Sequence, residues 1–292
     1  MELKELWLKQ KLKGVFVQTV DSPAMPLIAQ QAGMDFIFYD CEHGSFTYDK
    51  LTNLILLGNG RGFPSIVRVA QLARADVSGI LDCGASGVMV PMMETKEQAE
   101  QFVGWSKYPP EGIRSYSGGP HTDFGPSGNH ECRMKEMNHR TMTIAQIETV
   151  KGVENVDEIL SVDGIDAAIV GPCDLGISMG NPDNVMDERE LAMIQKVADS
   201  CRKHGKAFGI IGGNQLLKHF YKDVNILVSA IDAHMLRDCM KKAVEEYNNL
   251  EAVSYTHLDA DLRSRGVPGG RYSGTNGKSL RCGAYELSLI HI

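Results

Sequence analysis

Residues 143–174 read TIAQIETVKGVENVDEILSVDGIDAAIVGPCD, and this stretch decides the fold. A continuous apolar run, Thr143-Ile144-Ala145-Gln146-Ile147, gives way to a helix-length segment around 153–162. A second run follows, Ala167-Ala168-Ile169-Val170. Runs without polar alternation are strands buried on both faces, as in a parallel sheet covered by its crossover helices. Each run ends in polar residues, Glu148-Thr149 after the first and Gly171-Pro172-Cys173-Asp174 after the second. Outward from this unit lie six more such runs, at 15–18, 36–39, 65–69, 87–90, 207–211 and 226–230. Eight buried strands separated by helix-length segments predict a closed (β/α)8 TIM-type barrel, whose functional residues sit at the C-terminal strand ends.

Helices are expected at 24–32, 48–59, 73–83, 95–106, 153–162, 187–204, 214–222 and 234–250. A short amphipathic helix in 1–13 is expected to cap the barrel bottom. Start signals include Thr95 with Gln98, and stop signals include Gly33, Gly84 and Gly205. Between strands four and five lies a long excursion containing Tyr108-Pro109-Pro110-Glu111-Gly112-Ile113-Arg114. A loop of that length at a barrel's catalytic face usually serves as lid or substrate wall.

A net charge of −7 argues against nucleic acid or an anionic membrane as partner. The start lacks a signal-peptide core and no apolar stretch reaches membrane-spanning length, so a cytoplasmic protein is expected. Seven scattered cysteines with no C-x-x-C pair weigh against structural zinc and disulfides. Residues 1–252 therefore form one barrel domain. Residues 253–292 carry five basic and three acidic residues, six glycines and no periodicity, which predicts a disordered tail. Its ends, VSYTHLD and LSLIHI, resemble translated adapter read-through, so a non-native tail is expected past a truncation near 252.

Glu148 and Asp174 end consecutive strands, which are barrel neighbours. Two carboxylates in one pocket repel unless a cation or a shared proton satisfies them. A hard divalent ion such as Mg²⁺ or Mn²⁺ fits, with Co²⁺ a further candidate. The competing reading is a pair of helix N-caps. His43, in Asp40-Cys41-Glu42-His43-Gly44, stands at a strand end beside acids, where an imidazole can move protons. Asp82 is a candidate orienting partner for it, and Asp40 and Glu42 can polarise the site. Arg68 lies inside strand three, where a buried charge needs a partner. It serves either a structural ion pair or a substrate carboxylate and developing negative charge. Cys41 and Cys173 adjoin site residues and are read as packing groups. No lysine lies within the eight runs, which points away from imine chemistry and towards a metal-stabilised enolate.

The ordered motifs Asp40-x-Glu42-His43-Gly44, Arg68, Tyr108-Pro109-Pro110-x-Gly112-Ile113-Arg114, Gln146-Ile147-Glu148-Thr149 and Gly171-Pro172-x-Asp174-Leu175 resemble the HpcH/HpaI aldolases of the citrate lyase β-subunit superfamily. The likeness spans about residues 5–247. It implies a class II aldolase cleaving 4-hydroxy-2-oxoacids to pyruvate and an aldehyde. It further implies metal ligation by Glu148 and Asp174, proton transfer by His43 supported by Asp82, and substrate contacts at Arg68 and Gln146; Cys173 and Asp174, beside them at the strand-six end, are further substrate-binding candidates. A homohexamer, a dimer of trimers with the last helix swapped between subunits, is also implied. Two departures stand out. Cys173 replaces a usual small residue, and Ala230-Ile231-Asp232 replaces the usual glycine before the strand-eight aspartate, so a reshaped loop is expected there. The rival readings are an acyl-CoA lyase of the malyl-CoA type, for which no basic cluster is visible, and a non-catalytic oxoacid-binding barrel.

Overall fold

A computed structural model describes residues 3–126 and 128–264. Eight parallel strands close into a barrel in chain order: β1 (Leu12–Val17), β2 (Phe36–Asp40), β3 (Ser65–Arg68), β4 (Gly87–Val90), β5 (Met142–Ile147), β6 (Ala167–Val170), β7 (Ala207–Ile211) and β8 (Ile226–Ile231). Closure is made by β1 on β8, with a register shift between Lys13 and Val15. The expected architecture is the one observed. Lys13 falls within β1, which begins earlier than the sequence suggests. It is exposed and pairs with Asp35 at the strand's start, so the C-terminal strand ends still lack a lysine.

The two-residue period sorts the strand side chains into two cores. Phe16, Phe38, Ile66, Met89, Ile144 and Ile169 fill the barrel interior. Their neighbours Val17, Ile37, Val67, Ala145 and Ala168 face outward to meet residues such as Leu54, Ile80, Phe102 and Ile194. Those partners lie on helices α3 (Tyr48–Gly60), α4 (Arg74–Asp82), α5 (Lys96–Ser106) and α10 (Glu188–His204). One step further up the interior face, the residues become Gln18, Asp40, Arg68, Gln146 and Gly171, with Glu148 a layer above. Apolar filling therefore stops where the site begins.

The floor is closed from below. The first helix is one turn, α1 (Leu3–Leu6), rather than the thirteen residues expected. Leu3 and Trp7 join the interior core, with Trp7 5.8 Å from the Phe36 ring. Helix α2 (Met25–Gln31) links β1 to β2. The segment 153–162 becomes two short helices, α7 (Val150–Glu154) and α8 (Val156–Leu160), broken at Asn155.

Two helices were not expected. One, α6 (His130–Arg140), lies inside the long excursion, where the Asn129 side chain caps it by accepting from the Cys132 N–H. The other, α9 (Pro172–Ser178), starts directly at the Gly171-Pro172 step, with proline in the first turn where its missing N–H costs nothing. Helix α11 (Asn214–His219) follows β7, and α12 (Asp232–Ser264) follows β8 directly, with no loop between them.

The chain divides into two compact units, Met1–Cys239 and Met240–Ile292. The first holds the barrel, and the described part of the second continues α12. That helix runs to Ser264, past the expected boundary at 252. Residues 253–264 contain neither glycine nor proline, and an existing helix extends without a new nucleation step. The remainder of the expected tail, 265–292, lies outside the described residues. No helix among the described residues is long and apolar enough to cross a membrane.

Candidate active site at the barrel mouth

Asp40 and Arg68 are register partners on adjacent strands, so their side chains rise together on the interior face. The pair is bidentate: Arg68 Nε donates to Asp40 Oδ1 at 2.8 Å and Nη2 to Oδ2 at 2.7 Å. Nη1 lies 3.0 Å from Glu42 Oε2, and the guanidinium sits 4.9 Å above the Phe16 ring. Asp40 also accepts from the Glu42 N–H and the Gln18 amide. Burial works against its charged form, but the Arg68 hydrogen bonds and charge prevail and hold its carboxyl below the ordinary value. A carboxylate so saturated anchors the guanidinium; it has no lone pair left for a metal or a proton. The ion-pair reading of Arg68 is thus present in the structure, and Nη1 remains turned towards the more open Glu42.

Glu148 is 1% exposed. Its Oε1 accepts from the Met92 N–H at 2.7 Å, and its Oε2 accepts from Gln146 Nε2. Met92 adopts φ 53°, a left-handed conformation disfavoured for a residue with a side chain, and this aims its N–H at the carboxylate. Burial pushes the Glu148 carboxyl up to about 7; the Met92 N–H opposes this, while the charges of Asp174 and Glu42 add to it. Asp174 stands exposed in the first turn of α9. Neither acid is an N-cap, since Thr149 caps α7 and Gly171 occupies the cap of α9. The capping reading is therefore set aside.

These carboxylates form a hard-oxygen donor set. Gln146 Oε1 adds a buried acceptor without a partner. No group of three or more His, Cys, Asp or Glu among the described residues could hold a metal by itself. A divalent ion that keeps several waters and takes two carboxylates plus substrate oxygens fits such a site.

His43 is exposed, with Nε2 3.9 Å from Glu42 Oε2. Gly44 beside it is required by space: a Cβ there would lie 2.2 Å from the Asp40 carbonyl oxygen. Asp82 is not brought to His43 within the chain. It ends α4, which returns the chain to the start of β4, at the opposite end of the barrel. There its carboxylate takes Arg114 Nη2 at 2.6 Å and lies 3.9 Å from His121 Nε2. Burial raises the Cys173 thiol, with help from Asp174 and Glu190, and pushes the Cys41 thiol to about 12. Cys41 packs against the outer core as expected, whereas Cys173 is exposed, which corrects its reading as a packing group. Lys107, whose amine burial pushes down to about 8, donates to the Asn138 and Thr141 carbonyls ahead of β5 and is not at the mouth.

Two expected results follow from this geometry. A Cβ at Gly171 would lie 2.5 Å from Glu148 Oε2 and 2.9 Å from Gln146 Nε2. Gly171→Ala is therefore expected to displace Glu148 and lower kcat by about 100-fold, the scale of a 1 Å misplacement, in a folded protein. Near-parental kcat in a steady-state assay would count against that packing.

The second concerns pH. Glu148, and also Glu190, buried with neither carboxylate oxygen partnered, have carboxyls raised to about 7 by burial. The folded chain binds these protons more tightly than the unfolded chain does. Their stabilisation is fully present below about 4.5 and is lost as pH rises through about 7. Tm of the chelator-treated protein should fall between pH 5 and 8; a rising Tm would contradict the assignment.

The model of the HpcH/HpaI aldolase/citrate lyase family matches residues 13–236. A 2-keto-3-deoxy-L-rhamnonate aldolase of Salmonella gallinarum is 28% identical over 236 residues, spanning 79% of this chain and 86% of the relative. A 5-keto-4-deoxy-D-glucarate aldolase of Shigella sonnei is 31% identical over 193 residues, 66% of this chain and 74% of the relative. The crystal structure of an HpcH/HpaI aldolase from Desulfitobacterium hafniense superposes with a TM-score of 0.80 at 31% identity, covering 85% of this chain and 96% of that one.

Proposed function

The chain belongs to the HpcH/HpaI aldolase/citrate lyase family, and from that premise we propose a divalent-metal-dependent retro-aldol reaction at the mouth of this barrel. The enzyme is a carbon–carbon lyase of the 2-oxoacid aldolase type, which cleaves 4-hydroxy-2-oxoacids to pyruvate and an aldehyde. The observation that carries the site assignment is the buried Glu148, raised to about 7, sharing its field with Asp174 and Glu42 above the Arg68–Asp40 pair.

Glu148 and Asp174 would hold Mg²⁺ or Mn²⁺. When bound, the cation supplies Lewis-acid stabilisation for negative charge on the 2-oxo group. Arg68 pairs with the substrate's carboxylate and with charge developing on the enolate. His43, exposed to the mouth, takes the 4-hydroxyl proton directly or through water. The C3–C4 bond breaks, the aldehyde leaves, and the bonding pair remains on the pyruvate enolate. Proton return to C3 completes pyruvate. Gln146, which orients Glu148, lines the substrate side with Cys173.

Asp82 faces away from the mouth of its own barrel, so it can support His43 only across an interface with a second copy. The homo-oligomer proposed here meets that condition. Exposed Met240, Val244, Tyr247 and Leu250 form an apolar stripe along α12, which is suited to burial against another subunit. Replacing Tyr247 and Leu250 by Asp is expected to lower the assembly's mass in light scattering; an unchanged mass would remove α12 from the interface. The homohexamer and the cytoplasmic setting belong to this same proposal.

The deciding experiment is pyruvate release from 4-hydroxy-2-oxoacids by the full chain, with chelator and then with Mn²⁺ or Mg²⁺ restored. Loss and recovery are expected. Activity indifferent to chelation would discard the metal role of Glu148 and Asp174.

A further inference from the structure

Asp232, the first residue of α12, is 2% exposed, and its carboxylate collects backbone donors from the far side of the barrel seam. The Gln18, Thr19 and Val20 N–H groups donate to it at 3.1, 2.9 and 2.7 Å, and the Ala233 N–H at 2.8 Å. One side chain thus fixes three consecutive residues past β1. The first of them, Gln18, turns its side chain inward on the same face as Phe16. Its Nε2 donates to Asp40 Oδ2 at 2.8 Å. Asp40 in turn receives Arg68 through Nε and Nη2.

We propose that Gln18, clamped through its backbone by Asp232, is a positioning residue of this lyase that holds Asp40 and, through it, the substrate-facing guanidinium of Arg68. The inference rests on the reading of Arg68 as a substrate-binding group. Each link has a reason. Two donors from Arg68, one from Glu42 and one from Gln18 fill the acceptor positions of Asp40. Without the Gln18 amide, one acceptor position of a fully buried carboxylate is left empty. The carboxylate then rotates about its last bond towards the remaining donors, and Arg68 follows because both of its bonds to Asp40 share that plane. The Asp232 clamp keeps the amide within reach across the β8–β1 seam, where the ladder register already shifts.

Glu148, just past β5, and Asp174, in the first turn of α9, take no part in this chain of hydrogen bonds. Loss of the Gln18 link should therefore weaken oxoacid binding and spare metal binding.

The test uses Gln18→Met, which keeps length and loses the donor, Asp232→Asn, which weakens the clamp, and the double variant, all in the full chain. Three readouts are compared: KM for pyruvate in the aldol direction, calorimetric affinity for Mn²⁺ alone, and Tm. Gln18→Met is expected to raise KM about tenfold, the size of one hydrogen bond to a charged group, with Mn²⁺ affinity unchanged. Asp232→Asn should raise KM similarly while also lowering Tm. The double variant should raise KM no further than the larger single effect, because both act through one link.

A Gln18→Met KM within twofold of the parent overturns the proposal. So does an Asp232→Asn protein that loses Tm while keeping the parental KM, since a merely structural role predicts that pattern. A parent protein that binds Mn²⁺ but neither binds nor turns over pyruvate overturns the reading of Arg68, and this inference with it.

Discussion

Glu148→Ala is expected to lower kcat/KM by about 10³-fold or more and to abolish the recovery of activity by added metal. The carboxylate is 1% exposed and aimed by two donors, Met92 N–H and Gln146 Nε2, so no neighbouring side chain can take its place. Its loss leaves Asp174, which is exposed, and Glu42, which already pairs with Arg68, a poor remaining set for a hard divalent ion competing with water. The companion Glu148→Gln separates charge from shape. Its oxygen can accept from Met92, and its amide can meet Gln146 if that residue turns its unpartnered Oε1 inward. This variant should fold, be inactive, and exceed the metal-free parent in Tm at pH 8, because it no longer buries an ionised carboxylate there. Calorimetry with Mn²⁺ and steady-state pyruvate release check both claims; full metal-dependent activity in the alanine variant would remove Glu148 from the site.

Arg68→Ala carries the second large effect, on stability as well as rate. It leaves Asp40, fully buried, without its cation, and removing one partner of a buried pair costs about 3–5 kcal/mol. For a domain of this size that is a drop in Tm on the order of 10 °C. Arg68→Ala with Asp40→Ala should recover part of the lost stability and none of the activity, because the uncompensated charge disappears while the substrate anchor stays missing. Arg68→Lys is not conservative here, since a single ammonium cannot reproduce the Nε and Nη2 fork on Asp40. Chemical denaturation and KM for the oxoacid report the two effects separately. An Arg68→Ala protein as stable as the parent would refute the buried-pair argument.

Much of this molecule is legible without coordinates, and the reason is local. A buried parallel strand must be apolar along its whole length, so 143–147, 167–170 and their counterparts announce themselves residue by residue. Glu148, Asp174, Arg68 and His43 stand out because charge at the end of such a run has no other economy than function or pairing. Helix α6 carries a readable cap, Asn129, and an uninterrupted span to Arg140, but its weak apolar face hides it inside a long excursion. Gln18 sits in the first apolar run, two residues past Phe16, and that parity was the available signal of an inward-facing amide. The role of Met92 leaves no trace in side-chain chemistry, because it acts through a backbone N–H in a left-handed conformation.

What the amino-acid sequence determined by itself is the barrel, the end at which its polar residues gather, and the kinds of group available there. Each of these follows from periodicity and burial within short windows. What only the tertiary structure decided is which groups meet. Asp40 closes on Arg68 because β2 and β3 run in register, Glu148 is raised to about 7 because burial and two other carboxylates surround it, and Asp82 lies with Arg114 and His121 because α4 carries it to the other end of the barrel. Asp232 reaches the residues after β1 because the first and last strands are neighbours in the closed barrel, a contact spanning more than two hundred residues. That last meeting depends on closure, and closure belongs to the whole chain rather than to any window of it.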